Sequence, residues 1–206
     1  TASTVPSTVR VLDFALRTHG SGRISWAQAL APAIRYAEDG FPVAGFRYRS
    51  LLRDVEALGA DPAARAIFLD ADGRAPVEGS RLRQPLLAQT LRRLAREGAN
   101  DFYTGAIARE IAADMQANGG WISYDDLAQL AEPRVMAPVI TRYRGWDVYT
   151  LPPHAGGYGV LMPLEALETA PARALSEQGP ARTRWLLRAL RAAHGSRRDD
   201  PVRNLE

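Results

Sequence analysis

The residues of this chain that could carry chemistry are few and widely separated. The histidines are His19, His154 and His194, and their spacing does not form a metal-ligand cluster. His19 and His194 each precede a glycine at a predicted helix end, where the helix dipole stabilises a histidine, so we interpret both as capping residues. Cysteine is absent, which excludes a thiolate nucleophile within these residues. We therefore expect neither a metal site nor a cysteine mechanism.

A turn around His154 has a different character. It has the sequence PPHAGG at residues 152–157, between a predicted strand and a predicted helix. Ligands often bind at such turns because the amides of a helix N-terminus attract anions, and Gly156 and Gly157 would allow close approach. The spacing does not match a phosphate-binding loop. Two interpretations stay open for His154, Gly156 and Gly157, namely a substrate-binding site and a purely structural turn.

The remaining polar motifs favour structural roles. Asp125 and Asp126 follow Ser123 at the start of a predicted short helix, where carboxylates suit the helix dipole. The sequence DADG at residues 70–73 resembles a calcium loop superficially, but Arg81 stands where that loop places its glutamate. The neighbouring base that a nucleophile needs is missing beside the serines considered, namely Ser123, Ser176 and Ser196.

Composition indicates a globular protein. Of the 206 residues, 46% are hydrophobic and 24% charged, and the formal net charge is +3. Every basic side chain is arginine, but acidic residues are interleaved with the arginines, which favours solvated helix faces over a nucleic-acid groove. No apolar run is long enough to span a bilayer, and no signal peptide is visible at Thr1. We expect neither a nucleic-acid nor a membrane partner.

Hydrophobic periodicity predicts helices through the first two thirds of the chain. They are expected over residues 5–19, 26–39, 46–58, 62–68, 84–97 and 102–116, followed by a short helix after Ser123. The residues expected on the buried stripes of the third and fifth helices are Leu51, Leu52, Val55 and Leu58, and Leu87, Leu91 and Leu94.

The pattern changes after Pro133. Residues 139–143 and 146–150 are rich in β-forming side chains and are separated by Arg144-Gly145, which predicts a hairpin. Helices are then expected over residues 160–168 and 182–194, and a polar tail at 197–206 is expected to be mobile. Because one hairpin is only marginally stable alone, either the fold is largely helical or another segment supplies further strands. We treat residues 1–206 as a single partial domain.

Several blocks resemble one enzyme family. They are VPSTV at residues 5–9, LAPAI and GFPV within residues 30–43, DFYTGAIAREI and GGWISYDDL within residues 82–127, and YRGWDVY with the later PP and GG pairs. In this order they resemble the middle and end of the large subunit of the γ-glutamyltranspeptidase family. The resemblance covers roughly residues 5–168.

The resemblance implies an α+β fold. This chain would be the mainly helical portion of an Ntn-hydrolase-like αββα sandwich, incomplete in itself. In such enzymes a precursor cleaves itself, and a threonine freed at the start of the small subunit attacks a γ-glutamyl amide such as glutathione, with its own α-amino group as base. The resemblance implies a small-subunit partner, a small γ-glutamyl substrate and no cofactor. A periplasmic or secreted location would fit the family, although the sequence leaves the compartment open.

The chain also departs from the family pattern. The nucleophilic threonine and the glutamate-binding arginine of the family fall outside these residues, so no catalytic residue can be assigned here. His154-Ala155 stands where the family has Ser-Ser, Ser7 replaces a glycine and Arg188 replaces a glutamate. The resemblance therefore predicts that the chain alone is inactive. The alternatives are a non-catalytic helical binding or scaffold module derived from that fold and, because of the arginine content, a nucleic-acid binder.

Overall fold

A computed structural model describes residues 4–152, 155–176 and 178–199. His154 therefore lies outside the described residues. The chain divides into two compact units, Thr1–Pro133 and Arg134–Glu206. Within the described residues, no helix is both long and apolar enough to cross a membrane.

The first unit is built mainly of helices. Its only strands in the described residues are β1 (Phe41–Pro42) and β2 (Arg81–Leu82), which pair antiparallel. Its helices are α1 (Thr8–His19), α2 (Trp26–Asp39), α3 (Gly45–Ala60), α4 (Pro62–Phe68), α5 (Pro85–Glu97), α6 (Asp101–Thr104), α7 (Ala106–Ala117) and α8 (Tyr124–Ala128).

Side-chain caps fix the starts of three of these helices. The Ser25 hydroxyl accepts a hydrogen bond from the Gln28 amide at 3.2 Å, and the Gln28 side chain accepts one from the Ser25 amide, which completes a capping box. Asp61 accepts from the Ala64 amide at 2.6 Å and so caps α4. Ser123 caps α8. These three predicted helix starts are confirmed.

Helices α2 and α5 pack together. In the sequence, β1 directly follows α2 and β2 directly precedes α5. The indole of Trp26 donates to the Leu94 carbonyl at 2.9 Å, and the Gln84 amide donates to the Ala37 carbonyl at 2.7 Å. Gly40 adopts φ 79°, which a side chain would disfavour, and a Cβ there would lie 2.7 Å from the Leu82 carbonyl oxygen. The short ladder was not predicted, because two-residue strands leave no periodic signal.

Two expectations about buried side chains are wrong. Leu52 is 51% exposed and Leu87 is 42% exposed, whereas Leu51 and Leu94 are buried as expected. The buried stripes are narrower than the sequence pattern indicates, because in each helix only one side faces neighbouring elements of the described chain. Helix α1 begins at Thr8, three residues later than predicted.

In its described residues, the second unit combines a hairpin with three helices. Strands β3 (Val139–Tyr143) and β4 (Trp146–Thr150) pair antiparallel, with Tyr143 opposite Trp146. Arg144 and Gly145 connect them with φ values of 49° and 84°, the two positive values that a type I′ hairpin turn requires. The predicted hairpin and its turn are confirmed. The helices are α9 (Tyr158–Glu168), α10 (Ala172–Ser176) and α11 (Pro180–Asp199).

The predicted end of the last helix at His194 is wrong. Helix α11 continues through Gly195 to Asp199, and the Nδ1 atom of His194 lies 2.9 Å from the Leu190 carbonyl oxygen one turn earlier. Glycine disfavours a helix interior by about 1 kcal/mol relative to alanine, which does not suffice to stop an established helix. The helix thus enters the segment predicted as a tail, and residues 200–206 lie outside the described residues.

Candidate functional site

The turn between β4 and α9 is the candidate site. The strand ends at Thr150, and the helix begins at Tyr158. Gly157 lies tightly against the strand end, since a Cβ on it would come within 2.6 Å of Thr150 Cγ2 and 2.9 Å of Thr150 Cβ. A glycine is needed at this position because any side chain would push the helix start away from the strand.

Gly156 differs from its neighbour. It is exposed, and a Cβ built on it meets no heavy atom within 4 Å. Its carbonyl accepts the Gly159 amide at 3.0 Å, while the Gly157 carbonyl accepts the Val160 amide at 2.9 Å, so Gly157 is the N-cap of α9 and Gly156 directly precedes it. Gly157 therefore has a packing role. The backbone of Gly156 is open to solvent.

Two glutamates fasten the hairpin to α9. The Thr141 hydroxyl donates to Glu165 Oε1 at 2.9 Å, and Thr141 is buried. The Arg144 amide donates to Glu168 Oε2 at 2.8 Å, and its guanidinium donates to the Ala170 carbonyl at 3.0 Å. Sequence reasoning missed these contacts. The i, i+3 spacing of the two glutamates places them on the same side of α9, which was the available signal.

A second polar centre lies where α5 meets α6 and α7. Arg93 donates to both carboxylate oxygens of Asp101, from Nε at 2.6 Å and from Nη2 at 3.0 Å. Asp101 Oδ1 also accepts the Ala106 amide at 3.1 Å. Hydrogen bonding to Arg93 is the main reason that the pKa of Asp101 is lowered to about 2, and the backbone amide adds to the effect.

Asp101 explains why residues 102–116 do not form the single predicted helix. The chain breaks at Gly105, and α7 starts anew at Ala106. The sequence favours Asn100 or Asp101 as the cap of a helix that starts at Phe102, because both side chains can accept an amide hydrogen bond. The Asp101 side chain instead accepts the amide of Ala106, the first residue of α7. The prediction that Asp101 caps a helix is therefore right, but the helix that it caps is α7.

Acidification is expected to weaken this centre. The folded-state pKa of Asp101 lies below the ordinary value, so its carboxylate stabilises the fold fully above about pH 4 and loses this effect as the pH falls through about 2. Urea unfolding should show that Asp101→Asn is less stable than the unchanged protein at pH 6, and that this difference in the free energy of unfolding is smaller by about 2 kcal/mol at pH 2. Asp72→Asn is the control, because the Asp72 side chain is 70% exposed. An equal difference for Asp101→Asn at both pH values would contradict the assignment.

Tyr103 forms a buried link to the segment before α1. It is 1% exposed, its hydroxyl donates to the Pro6 carbonyl at 2.9 Å, and the same oxygen accepts the Arg10 amide at 3.0 Å. The Arg10 guanidinium lies 4.3 Å from the ring centre. Burial raises the pKa of Tyr103. These bonds hold the residues around Pro6 out of α1 and account for its late start.

The other sequence candidates serve as structural groups. Asp126 accepts from the amide and hydroxyl of Ser123, which lowers the pKa of Asp126, and Ser123 in turn caps α8. Asp70 accepts the Arg74 amide at 2.8 Å and closes the predicted polar turn. An open groove of about 500 Å³ lies beside α7, but its Ser123 and Tyr124 hydroxyls are both hydrogen-bonded within the chain. The described residues contain no group of three side chains that could hold a metal ion.

Comparison with known proteins identifies relatives over most of the chain. The sequence profile of the family described as Gamma-glutamyltranspeptidase matches residues 1–203. The chain is 38% identical over 167 residues to the glutathione hydrolase-like YwrD proenzyme of Bacillus subtilis, covering 81% of this chain and 31% of that protein. It is 34% identical over 173 residues to the glutathione hydrolase proenzyme of Escherichia coli, covering 81% of this chain and 28% of that protein.

A solved structure has the same fold. The chain matches the Helicobacter pylori gamma-glutamyltranspeptidase with a TM-score of 0.82 at 28% identity, over 93% of this chain and 54% of that one. The predicted fold class is confirmed, because the neighbours are Ntn hydrolases and the described residues form a mainly helical part of an α+β fold. The chain spans about a third of the length of the curated relatives that it matches. It belongs to the gamma-glutamyltranspeptidase family.

Proposed function

We propose that this chain is a large-subunit segment of an enzyme that cleaves γ-glutamyl amides such as glutathione. The observation that carries the proposal is the family match over residues 1–203, together with relatives that are named glutathione hydrolases. The acyl group passes from the donor to water or to an amino acid. The nucleophilic threonine belongs to a small subunit outside these residues.

The proposed chemistry uses the threonine as its own base. The α-amino group takes the proton of the threonine hydroxyl while the oxygen attacks the γ-carbonyl carbon. The amine leaves with that proton, and an ester links the γ-glutamyl group to the threonine oxygen. Water or an amino acid then attacks the ester carbonyl carbon, the bond to the threonine oxygen breaks, and the α-amino group passes the attacking group's proton to that oxygen. Backbone amides stabilise the oxyanion in both steps. The proenzyme names of the relatives agree with a precursor that must be processed before its threonine is free.

Within this scheme we assign the turn at residues 152–157 to substrate binding. The N-terminus of α9 carries partial positive charge, and Gly156 leaves its backbone open, which suits a carboxylate of the γ-glutamyl group. Glu165 and Glu168 hold the hairpin on α9 and so fix the position of the turn. His154 is two positions before Gly156 in the sequence, and the proposed set is His154, Gly156 and Gly157.

The activity test compares the chain alone with the complete protein. Residues 1–206 alone should not release p-nitroaniline from γ-glutamyl-p-nitroanilide, and the complete, processed protein should. Turnover by residues 1–206 would place the nucleophile inside this chain and refute the assignment. A processed complete protein that leaves γ-glutamyl donors intact would refute the substrate class and favour the non-catalytic module.

The two glycines of the turn give a matched pair of variants. In the complete protein, Gly157→Ala is expected to raise KM about tenfold, because the new methyl group meets Thr150 and displaces the helix start. In Gly156→Ala the new methyl group meets no heavy atom within 4 Å, so the effect of this change on the fold is expected to be negligible. Steady-state kinetics and circular dichroism of both variants check this. Equal KM values for Gly157→Ala and the unchanged protein would remove the turn from the substrate site.

A further inference from the structure

The C-terminus of α7 contains a reactive dipeptide. Asn118 follows the last helical residue, Ala117, and is itself directly followed by Gly119. An asparagine side chain before glycine is open to attack by the glycine's backbone nitrogen, because glycine has no Cβ to obstruct the approach. The other asparagines of the chain are Asn100 and Asn204, which precede aspartate and leucine. Asn118 is therefore the asparagine whose neighbour favours this reaction.

The folded structure holds this dipeptide in an unreactive geometry. Asn118 Nδ2 donates to the Asp114 carbonyl oxygen and to Asp114 Oδ1, both at 3.0 Å, so the side-chain amide is bonded back onto the helix. The ψ angle of Asn118 is 11°, which turns the Gly119 nitrogen away from the Asn118 side chain. Ring closure needs that nitrogen to eclipse Cβ about the Cα–C bond, so the last turn of α7 must open first.

The opening that the reaction needs is local. It breaks the bonds from Asn118 to Asp114 and the 2.7 Å bond from the Gly120 amide to the Met115 carbonyl, all within residues 114–120. Helix ends open at a lower free-energy cost than the core of a fold. Among the described residues no acceptor takes the Gly119 amide, so its nitrogen can lose the proton without breaking a further bond.

We propose that Asn118 is a site of spontaneous deamidation, controlled by opening of the last turn of α7. The Gly119 nitrogen bonds to Asn118 Cγ, the bond from Cγ to Nδ2 breaks, and ammonia leaves with the proton that the Gly119 amide gave up. Water then opens the succinimide ring. Cleavage of the new bond gives aspartate, and cleavage of the bond from the Gly119 nitrogen to the main-chain carbonyl carbon gives isoaspartate. The reaction joins neighbouring atoms, so the inference does not depend on the proposed activity.

The products no longer fit the helix end. A carboxylate at position 118 cannot donate to Asp114 and repels its carboxylate, at the negative end of the helix dipole. Isoaspartate also inserts a carbon into the backbone before Gly120, which has little room to shift, since a Cβ on it would lie 3.2 Å from Met115 Cα. Ile122 follows two residues later and is buried. Deamidation is therefore expected to loosen the connection from α7 to α8.

Peptide mapping by mass spectrometry tests the site. When the complete protein is kept in a mildly alkaline buffer, the peptide that contains Asn118 should gain about 1 Da and separate into aspartate and isoaspartate forms. The peptide that contains Asn100 should keep its mass, because aspartate follows that residue. A synthetic peptide of residues 112–124 is too short to form a stable helix, and its Asn118 should convert about tenfold faster or more than in the protein.

Two variants test the control by α7. Asp114→Ala removes the carboxylate acceptor of the Asn118 side chain and should speed the conversion about fivefold. Glu110→Ala removes a carboxylate from the same helix, but the side-chain hydrogen bonds of Asn118 go to Asp114 and not to Glu110. Its conversion rate should stay within about twofold of the unchanged protein.

Hydrogen exchange measures the consequence of the modification. In Asn118→Asp, which matches the aspartate product, the amides of residues 118–122 should exchange about fivefold faster than in the unchanged protein. Asn100→Asp adds the same charge before α6 and should leave these amides unchanged. Equal exchange in the two variants would refute the expected loosening.

Two results would overturn the proposed site and its control. The first is an unchanged Asn118 in the folded protein after many half-lives of the synthetic peptide, which would mean that the dipeptide does not react within the fold. The second is an equal conversion rate for Asp114→Ala and Glu110→Ala, which would mean that the end of α7 does not control the reaction.

Discussion

Replacing Gly105 with alanine is expected to lower the free energy of unfolding by about 3 kcal/mol. A Cβ at this position would lie 2.6 Å from Asp101 Cγ and 2.7 Å from Asp101 Cα, and the latter is a backbone atom that cannot turn aside. The carboxylate would have to move away from the Ala106 amide and from Arg93. One methyl group would thus remove the α7 cap and an ion pair in which the Asp101 side chain is only 10% exposed.

Gly59→Ala is the matched control. Gly59 lies in α3, where an added Cβ would meet only Leu69 Cδ1 at 3.8 Å, an ordinary contact. Alanine there should raise stability by about 0.5 to 1 kcal/mol, because it has the better helix propensity. Equilibrium urea unfolding of both variants measures the contrast. If the two variants have equal stability, the close approach of Gly105 to Asp101 is not a feature of the folded protein.

The second large effect is expected for Tyr103→Phe, at about 2 kcal/mol of lost stability. The change removes only an oxygen atom, but that oxygen serves both the Pro6 carbonyl and the Arg10 amide. A phenylalanine would leave these two backbone groups without a partner next to a side chain that is 1% exposed. The segment before α1 should then detach from α6.

Tyr124→Phe controls for the loss of a tyrosine hydroxyl as such. That hydroxyl donates to the Thr104 carbonyl at 2.9 Å in an exposed setting, where water can replace it, so the expected loss is about 0.5 kcal/mol. Thermal unfolding compares the two variants, and limited proteolysis near residue 6 reports detachment of the segment. Equal destabilisation by both changes would mean that the Tyr103 hydroxyl is not buried as described.

The sequence was sufficient to predict those features of the structure that depend on hydrogen bonds between residues close together in the chain. Ser25, Asp61 and Ser123 could be identified as caps because their hydrogen bonds reach only three residues along the chain. The hairpin could be predicted together with its turn, because Arg144-Gly145 separates two β-forming runs of equal length. In each case the deciding partner lies within a few residues.

Features decided by distant partners could not be predicted. Pairing of β1 with β2 joins Phe41 to Leu82 across a long intervening segment. Tyr103 holds the carbonyl of Pro6 from nearly one hundred positions away. Leu52 and Leu87 fit apolar helix patterns but are exposed, because burial depends on which neighbours the fold supplies. Such information is absent from any short window of sequence.

In the candidate site, too, the sequence predicted the local feature and missed the feature that depends on spatial neighbours. Its location between a strand and a helix was predicted correctly, since β4 and α9 flank it as expected. The separate roles of Gly156 and Gly157 could not be predicted, because they differ only in the distance to Thr150. The part played by His154 stays a prediction.

The β3–β4 hairpin also has a consequence for aggregation. In the described residues each of its strands pairs only with the other, so each has an outer edge whose backbone groups could pair with another chain. Ile140 and Tyr149 are opposite each other and exposed, which makes this surface attractive to a second copy. Arg142 and Asp147 form the adjacent exposed pair, and their charges oppose such stacking. Replacing this charged pair with apolar residues should therefore lower the soluble yield.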